Sequence, residues 1–330
     1  MLFFNCMILG TILAISSYSW FSMWMGLEIN LLSIIPLLNS KSNSYPTESM
    51  LKYFITQALA SSILILSIIL SLNFNEFIFM NFDIFDMMLS SALLIKLGAA
   101  PFHTWFPEVL EGLSWKNCLI MLIWQKIAPM ALLFYNSQLT NFMFFIILCS
   151  SIISGIQGLN QISLRKIMAY SSINHISWML TSMLNSQSIW MFYFIVYSII
   201  SLNMILIFNQ FEIYYFFQLL IILNFSKSLK LLFIFNLLSL GGLPPFLGFY
   251  PKWLVINNLV NNNFYFLSVA LIISTLVTLY FYFRLTLSSF MINHSETLIY
   301  LPKKFKFLYF LFNIISLLSL IICALSFNFN

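Results

Sequence analysis

Long apolar stretches separated by short polar segments dominate this chain. A run of roughly 20 apolar residues is long enough to cross a bilayer as an α-helix. The pattern predicts about eleven such spans, at 2–20, 22–39, 53–73, 86–103, 117–136, 140–158, 167–184, 189–208, 231–258, 264–283 and 308–326. The apolar segment 213–226 is shorter than a span, and we assign it to a loop. The predicted fold class is an all-α polytopic membrane protein.

The composition supports lipid as the main solvent of this chain. Hydrophobic residues make up 61% of it and charged residues only 7%, whereas soluble domains carry roughly a quarter charged residues. The net charge of +5 forms no basic stripe, which argues against nucleic-acid binding. The first apolar run begins at Leu2 without a basic leader, so we expect the first helix to be retained.

No sequence motif points to a cofactor bound by this chain. Nucleotide-binding and zinc-protease motifs are absent from the sequence. The cysteines do not form a C-x-x-C pair, and we expect buried thiols rather than a metal site or a disulfide at Cys6, Cys118, Cys149 and Cys323.

The basic residues are sorted between alternate loops. Eleven of the fourteen lie in the loops after spans 2, 4, 6, 8 and 10, namely Lys41, Lys52, Lys116, Arg165, Lys166, Lys227, Lys230, Arg284, Lys303, Lys304 and Lys306. The other loops carry none, and the loop after the third span is acidic. This sorting follows the positive-inside rule and places the N-terminus on the positive side of the membrane.

Four charged residues remain within predicted spans: Glu28, Lys96, Lys126 and Lys252. A charge at the bilayer centre costs at least ~2.5–3.5 kcal/mol. One alternative is that these charges form buried ion pairs that only dock helices, although such pairs stabilise poorly. The other is a proton relay, because burial favours the neutral form of a lysine and a nearby carboxylate favours the charged form. Glu28 would then be a movable partner of Lys96.

Histidines at positions 103 and 175 are further candidates, because histidine can change charge near neutral pH. His103 lies near the end of the fourth span, and His175 lies within the seventh. For each of them, an interhelical hydrogen bond is an equally good interpretation.

Spans 4 and 9 contain glycine and proline beside an intramembrane lysine. These segments are 96–107 and 241–252. An isolated case would indicate an ordinary proline kink, but paired broken helices are typical of inverted repeats in transporters. The sequence therefore predicts one transmembrane domain over 1–330, with inverted five-helix repeats at 1–136 and 137–288 and a basic loop and C-terminal helix at 289–330.

Five segments carry a resemblance to a known family. They read WMGLEIN (24–30), KLGAAPFHTWFP (96–107), WQK (124–126), LRKIMAYSSINH (164–175) and LGGLPPFLGFYPKW (240–253). In this order they resemble the chain 2 family of antiporter-like membrane-arm subunits of mitochondrial NADH–ubiquinone oxidoreductase (complex I). The resemblance covers nearly the whole chain.

The resemblance implies roles for the buried charges. Glu28 matches the ion-pair glutamate of the family, Lys96 the lysine of the first broken helix, Lys126 the central lysine and Lys252 the lysine of the second broken helix. It also implies a proton-carrying subunit of the inner mitochondrial membrane, with its N-terminus in the matrix, assembled with other membrane-arm subunits and phospholipid. NADH, FMN, iron–sulfur clusters and ubiquinone would belong to partner subunits, and no cofactor or metal to this chain. The alternatives are a stand-alone cation/proton antiporter and a structural scaffold.

Overall fold

The computed structural model describes residues 1–38, 44–74, 82–136, 140–225, 227–244 and 246–291. Within these ranges the chain is helical apart from turns and an isolated bridge between Ser163 and Tyr215. This architecture confirms the all-α fold class. The predicted span 308–326 and nearly all of the predicted segment 289–330 lie outside the described ranges.

The backbone divides into two compact units, Met1–Ile146 and Ile147–Asn330. The helices of the first unit are α1 (Leu2–Ser16), α2 (Trp20–Leu38), α3 (Ser44–Phe74), α4 (Phe82–Leu97), α5 (Trp105–Gly112), α6 (Trp115–Leu119) and α7 (Gln125–Tyr135), with a π-helical turn, Ile120–Trp124, between the last two. Helix α8 (Thr140–Leu159) begins in the first unit and ends in the second. The second unit continues with α9 (Leu164–Met183), α10 (Gln187–Phe211), α11 (Phe216–Phe225), α12 (Lys227–Gly241), α13 (Phe249–Asn261) and α14 (Tyr265–Met291).

Six helices of the described chain are long and apolar enough to cross a membrane by themselves. They are Trp20–Leu38, Pro46–Leu72, Trp115–Tyr135, Thr140–Leu159, Gln187–Phe211 and Tyr265–Ser289. The predicted span 231–258 is divided between α12 and α13, whereas in the predicted span 86–103 helix α4 ends at Leu97 and α5 begins beyond the span, at Trp105. Helix α9 is more polar, and its residues from Ile167 to Met183 are all buried, so it is covered by protein rather than lipid. The count of about eleven spans stays a prediction.

Close helix packing positions α2 in the first unit. Helix α1 packs against α2, and a Cβ atom added at Gly26 would lie 2.6 Å from the backbone nitrogen of Ala14. Small residues permit this approach, as is usual in membrane proteins. Helix α3 packs against α4 and α5, and α4 packs against α7. These contacts bring the polar side chains of α2, α3, α4 and α7 into one unit.

In the second unit, α9 packs against α10, α13 and α14, and α12 packs against α10 and α14. This arrangement places the buried polar face of α9 beside the second broken helix. Arg284, on α14, donates to the carbonyl oxygens of Leu159 and Gln161 at 2.6 and 3.1 Å, and thereby satisfies carbonyls at the end of α8.

Two sequence expectations are corrected by the helix boundaries. The segment 213–226, which we assigned to a loop, contains the helix α11 over Phe216–Phe225. Several charges that we assigned to loops lie inside helices, namely Lys52, Lys116, Arg165, Lys166, Lys227, Lys230 and Arg284. The physical reason is that a helix continues past its apolar stretch into the interface, where long charged side chains reach water.

Candidate functional site

The first broken helix ends just after Lys96. Gly98 has φ +73°, a conformation that glycine adopts without the penalty of a Cβ atom. The N–H of Gly98 donates to Ile95 O at 3.1 Å, and that of Ala99 donates to Leu94 O at 3.1 Å. These two bonds form a Schellman motif. Lys96, which is only 7% exposed, therefore lies in the last turn of α4, beside a helix end inside the protein.

The second broken helix ends in the same motif. Gly242 has φ +77°. Its N–H donates to Ser239 O at 3.0 Å, and the N–H of Leu243 donates to Leu238 O at 3.3 Å. Sequence reasoning predicted both breaks from glycine and proline, and the structure shows that glycine in the left-handed conformation ends each helix.

The carbonyl groups at the two breaks are satisfied by different donors. At the first break, the indole Nε1 of Trp105 donates to Ile95 O at 3.2 Å. At the second, Lys252 Nζ lies 2.9 Å from Gly241 O and 3.4 Å from Leu240 O. The Lys252 side chain therefore caps α12, where its ammonium form would also interact favourably with the negative end of the helix dipole.

Lys252 is buried and lies close to the Trp178 ring and to Gly242. It is 7% exposed, and its Nζ lies 5.7 Å from the centre of the Trp178 ring, within the range of a cation–π interaction. A Cβ atom at Gly242 would lie 2.7 Å from Lys252 Cδ. The missing side chain of Gly242 thus makes room for the lysine stem.

Lys126 follows the π-helical turn at the start of α7 and is 1% exposed. Its Nζ lies 5.7 Å from the ring centre of Phe106, which belongs to α5, directly after the first break. The structure thus brings Lys126 to the first broken helix. π-Helical turns are frequent at functional sites, and the apolar sequence of this turn, Ile120–Trp124, gave no sign of it.

Glu28 lies on α2 and is half-buried. Its Oε1 atom is buried and has no hydrogen-bond partner within the described ranges. Glu28 is close enough to Lys96 for an electrostatic interaction, but the described ion pairs within 4.0 Å join Lys52 to Glu48 and to Glu108 instead, each at 2.9 Å. Glu28 and Lys96 therefore interact electrostatically without forming one of these direct ion pairs.

The two histidines are buried in different units. His103, 4% exposed, donates from Nδ1 to Pro101 O at 3.3 Å. His175 is 6% exposed, shares a hydrogen bond of 2.8 Å with the Tyr193 hydroxyl, and its ring lies 5.1 Å from that of Tyr197. His103 therefore belongs to the first break, and His175 to the polar face of α9.

A small polar cavity beside Lys96 was missed by sequence reasoning. Its volume is about 20 Å³, and it is lined by Leu27, Asn30, Leu31, Tyr53, Gln57, Lys96, Gln125 and Pro129. Gln125 Nε2 donates to Asn30 Oδ1 at 3.0 Å, and Tyr53 donates to Gln125 Oε1 at 3.4 Å. The sequence feature that could have indicated this cavity is the presence of neutral amide side chains inside apolar runs. Such side chains are less conspicuous in a hydropathy pattern than charged ones.

No disulfide joins the cysteines within the described ranges. Cys118 is buried, and Cys6 and Cys149 are half-buried. The Sγ atom of Cys118 lies 3.6 Å from the carbonyl oxygen of Leu110. Cys323 lies outside the described ranges.

Comparisons with known proteins agree with this architecture. Residues 17–278 match the family model described as NADH:quinone oxidoreductase/Mrp antiporter, TM. NADH-ubiquinone oxidoreductase chain 2 of Anopheles gambiae is 49% identical over 98% of this chain and 96% of its own length. The protein of the same name in Aedes aegypti is 50% identical over 98% of this chain and 96% of its own length. The one in Locusta migratoria is 43% identical over 90% of this chain and 86% of its own length.

Two solved structures share the fold. A chain of respiratory complex I from Thermus thermophilus superposes with a TM-score of 0.86 at 22% identity, over 98% of this chain and 78% of that chain. A chain of the Mrp complex from Dietzia sp. DQ12-45-1b superposes with a TM-score of 0.73 at 15% identity, over 86% of this chain and 59% of that chain.

Proposed function

We propose that this chain, which belongs to the NADH-ubiquinone oxidoreductase chain 2 family, carries protons across the membrane through its buried lysines. As a member of that family it is an antiporter-like subunit of the membrane arm of complex I. It is a multi-pass protein of the mitochondrial inner membrane and assembles with other membrane-arm subunits. The proton relay, its residues and its direction are the content of the proposal.

The observation that carries the proposal is the local structure around each buried lysine. Lys96 lies in the last turn of α4, which ends in a Schellman motif, and Lys252, on α13, reaches the Schellman end of α12 with its Nζ. Lys126 is the second residue after a π-helical turn. Irregular backbone at membrane depth exposes carbonyl groups that can hold a charge or water. A helix-docking role alone does not require each lysine to lie at such an irregularity.

In this relay, protons enter toward Lys96, pass to Lys126 and leave by way of Lys252. Glu28 modulates Lys96, because a carboxylate that approaches an ammonium favours its charged form and releases that preference on moving away. His103 and His175 are auxiliary positions. The N-terminus lies on the matrix side, and phospholipid surrounds the apolar helix faces.

The driving reaction occurs elsewhere in the complex. NADH oxidation and quinone reduction belong to partner subunits, together with FMN, the iron–sulfur clusters and ubiquinone. This chain holds no redox centre of its own in the proposal. It couples to the reaction through charge movement along the membrane arm.

Substitution of Lys126 tests the proposal. Lys126→Met keeps the apolar stem beside Phe106 and removes the titratable group, so the complex assembles while NADH-driven proton pumping falls by at least about tenfold. The measurement is proton uptake into vesicles that contain the purified complex, per assembled complex.

The matched control is Lys52→Met. The Lys52 side chain is 41% exposed and ion-paired at the surface, where water screens such pairs, so pumping should stay at the unsubstituted rate. Undiminished pumping by assembled Lys126→Met complex would rule the relay out. Loss of assembly for Lys126→Met, with no active complex formed, would favour the scaffold alternative.

A further inference from the structure

Gln57 is a buried amide whose nitrogen lacks a protein partner. The residue is 4% exposed, and its Nε2 has no hydrogen-bond partner within the described ranges. Leaving a buried donor unsatisfied is destabilising. Since Gln57 lines the cavity beside Lys96, a group inside that cavity is the natural acceptor.

The cavity has the size and polarity that a water molecule needs. Its volume of about 20 Å³ exceeds the roughly 10–15 Å³ that one water requires, and a buried water typically has two to four polar partners. The lining offers the ammonium of Lys96, the amides of Asn30, Gln57 and Gln125, and the hydroxyl of Tyr53. An apolar occupant would leave the amide nitrogen of Gln57 unsatisfied.

The amides around the cavity lead from Lys96 toward α7. Gln125 is hydrogen-bonded to Asn30 at 3.0 Å and directly precedes Lys126 in the chain. The π-helical turn ends at Trp124, so the irregular backbone sets the orientation of both Gln125 and Lys126. The cavity is thus lined by Lys96 and by Gln125, the residue that directly precedes Lys126.

We propose that Gln57 is a positioning residue that holds a water molecule between Lys96 and the Gln125 amide, as the first proton-conducting step between Lys96 and Lys126. The inference rests on the proposed relay function. The Lys96 ammonium gives one proton to the water and becomes a neutral amine, and the water passes one of its own protons on. The transfer ends on the neutral amine of Lys126, which becomes an ammonium, while Gln57 donates a hydrogen bond to the oxygen of the water. The amide gains and loses no net proton.

The test uses the intact complex. High-resolution electron cryo-microscopy of the native complex should show density for a water within hydrogen-bond distance of Gln57 and Lys96. Gln57→Leu should remove this density and lower the pumping rate roughly tenfold, about the rate equivalent of one hydrogen bond to a charged group. Gln57→Asn, which keeps the amide, should retain the water and most of the rate.

Ser67→Ala is the matched control. Ser67 lies on the same helix, is fully buried, and its hydroxyl donates to Leu64 O at 2.7 Å within that helix. It should pump at the unsubstituted rate. If Gln57→Leu fails to assemble, Gln57→Met provides an unbranched apolar side chain of similar length for the same measurements.

The outcomes separate this inference from the relay itself. Absence of water density in the native cavity, or undiminished pumping by Gln57→Leu or Gln57→Met while Lys126→Met is inactive, overturns the role of Gln57 and leaves the relay standing. Undiminished pumping by Lys126→Met overturns the relay, and with it this step. Loss of both the water and the rate in Gln57→Leu, with the Ser67→Ala rate unchanged, supports the proposal.

Discussion

At the scale of single residues, the three buried lysines lie in different surroundings. Lys252 donates to two carbonyl oxygens, Lys126 faces an aromatic ring, and Lys96 lines a polar cavity. Charge-assisted hydrogen bonds hold an ammonium more firmly than an aromatic face does. The ammonium form of Lys252 thus has two direct backbone acceptors.

Two substitutions of Lys252 distinguish capping from proton transfer. Lys252→Gln keeps an N–H donor for the Gly241 carbonyl, whereas Lys252→Met leaves that carbonyl without the donor, at a cost of about 1–3 kcal/mol. We expect the glutamine variant to assemble more stably than the methionine variant. Because neither side chain titrates, both should lose proton pumping.

Thermal unfolding of the purified complex measures the first difference, and NADH-driven proton uptake measures the second. If Lys252 served only as a helix cap, Lys252→Gln would pump at nearly the unsubstituted rate. That result would remove Lys252 from the relay.

The sequence identified charged residues more readily than polar ones. A lysine in an apolar run is conspicuous because of its large transfer cost, so the amino-acid sequence alone was enough to select Glu28, Lys96, Lys126 and Lys252. Gln57 and Gln125 have a smaller transfer cost than a lysine. Their connection is visible only in the folded protein, where the helices bring them together around a cavity. Their roles could not be read from one linear pattern.

At the scale of helices, each broken helix depends on a glycine that ends it. Gly242 is the sharper case, because a Cβ atom there would lie 2.7 Å from Lys252 Cδ. Gly242→Ala should therefore displace the lysine from its carbonyl partners, and it adds about 1–2 kcal/mol of left-handed backbone strain. We expect slower proton pumping and a lower unfolding temperature of the complex.

The neighbouring glycine supplies the control for this prediction. A Cβ atom at Gly241 would come no closer than 3.6 Å, to Leu279 Cδ1, which is ordinary van der Waals contact. Gly241→Ala should therefore leave pumping and unfolding temperature nearly unchanged. Equal behaviour of the two variants would contradict the role that we assign to Gly242.

Helix boundaries were predicted less well than helix breaks. Glycine and proline mark a break chemically, whereas the end of a membrane helix is set by where charged side chains reach water. Lys52 and Arg284 lie beyond the apolar stretches, yet the helices continue through them. Helix α11 was missed because its short apolar sequence permits either a loop or a helix, and packing against α12 and α14 decides between them.

At the scale of the whole molecule, the remaining question is which ion moves. In the described spans, Lys96, Lys126 and Lys252 are buried and Glu28 is half-buried. Sodium prefers oxygen ligands, as other hard cations do, and an ammonium repels it strongly at low dielectric constant. Buried lysines can instead exchange protons, so the charge pattern favours a proton path over a path for metal cations.

A sodium gradient across the intact complex tests this preference. In vesicles containing the complex but no NADH, an imposed sodium gradient should leave the internal pH unchanged, because the three ammonium groups exclude the cation from the path. Addition of NADH to the same vesicles should then produce proton uptake, which shows that the complex is active. A sodium-driven change in internal pH that disappears in Lys126→Met complex would establish cation/proton exchange through this chain. It would also require a sodium site built from oxygen ligands, and the cavity amides of Asn30 and Gln125 would be the first residues to substitute.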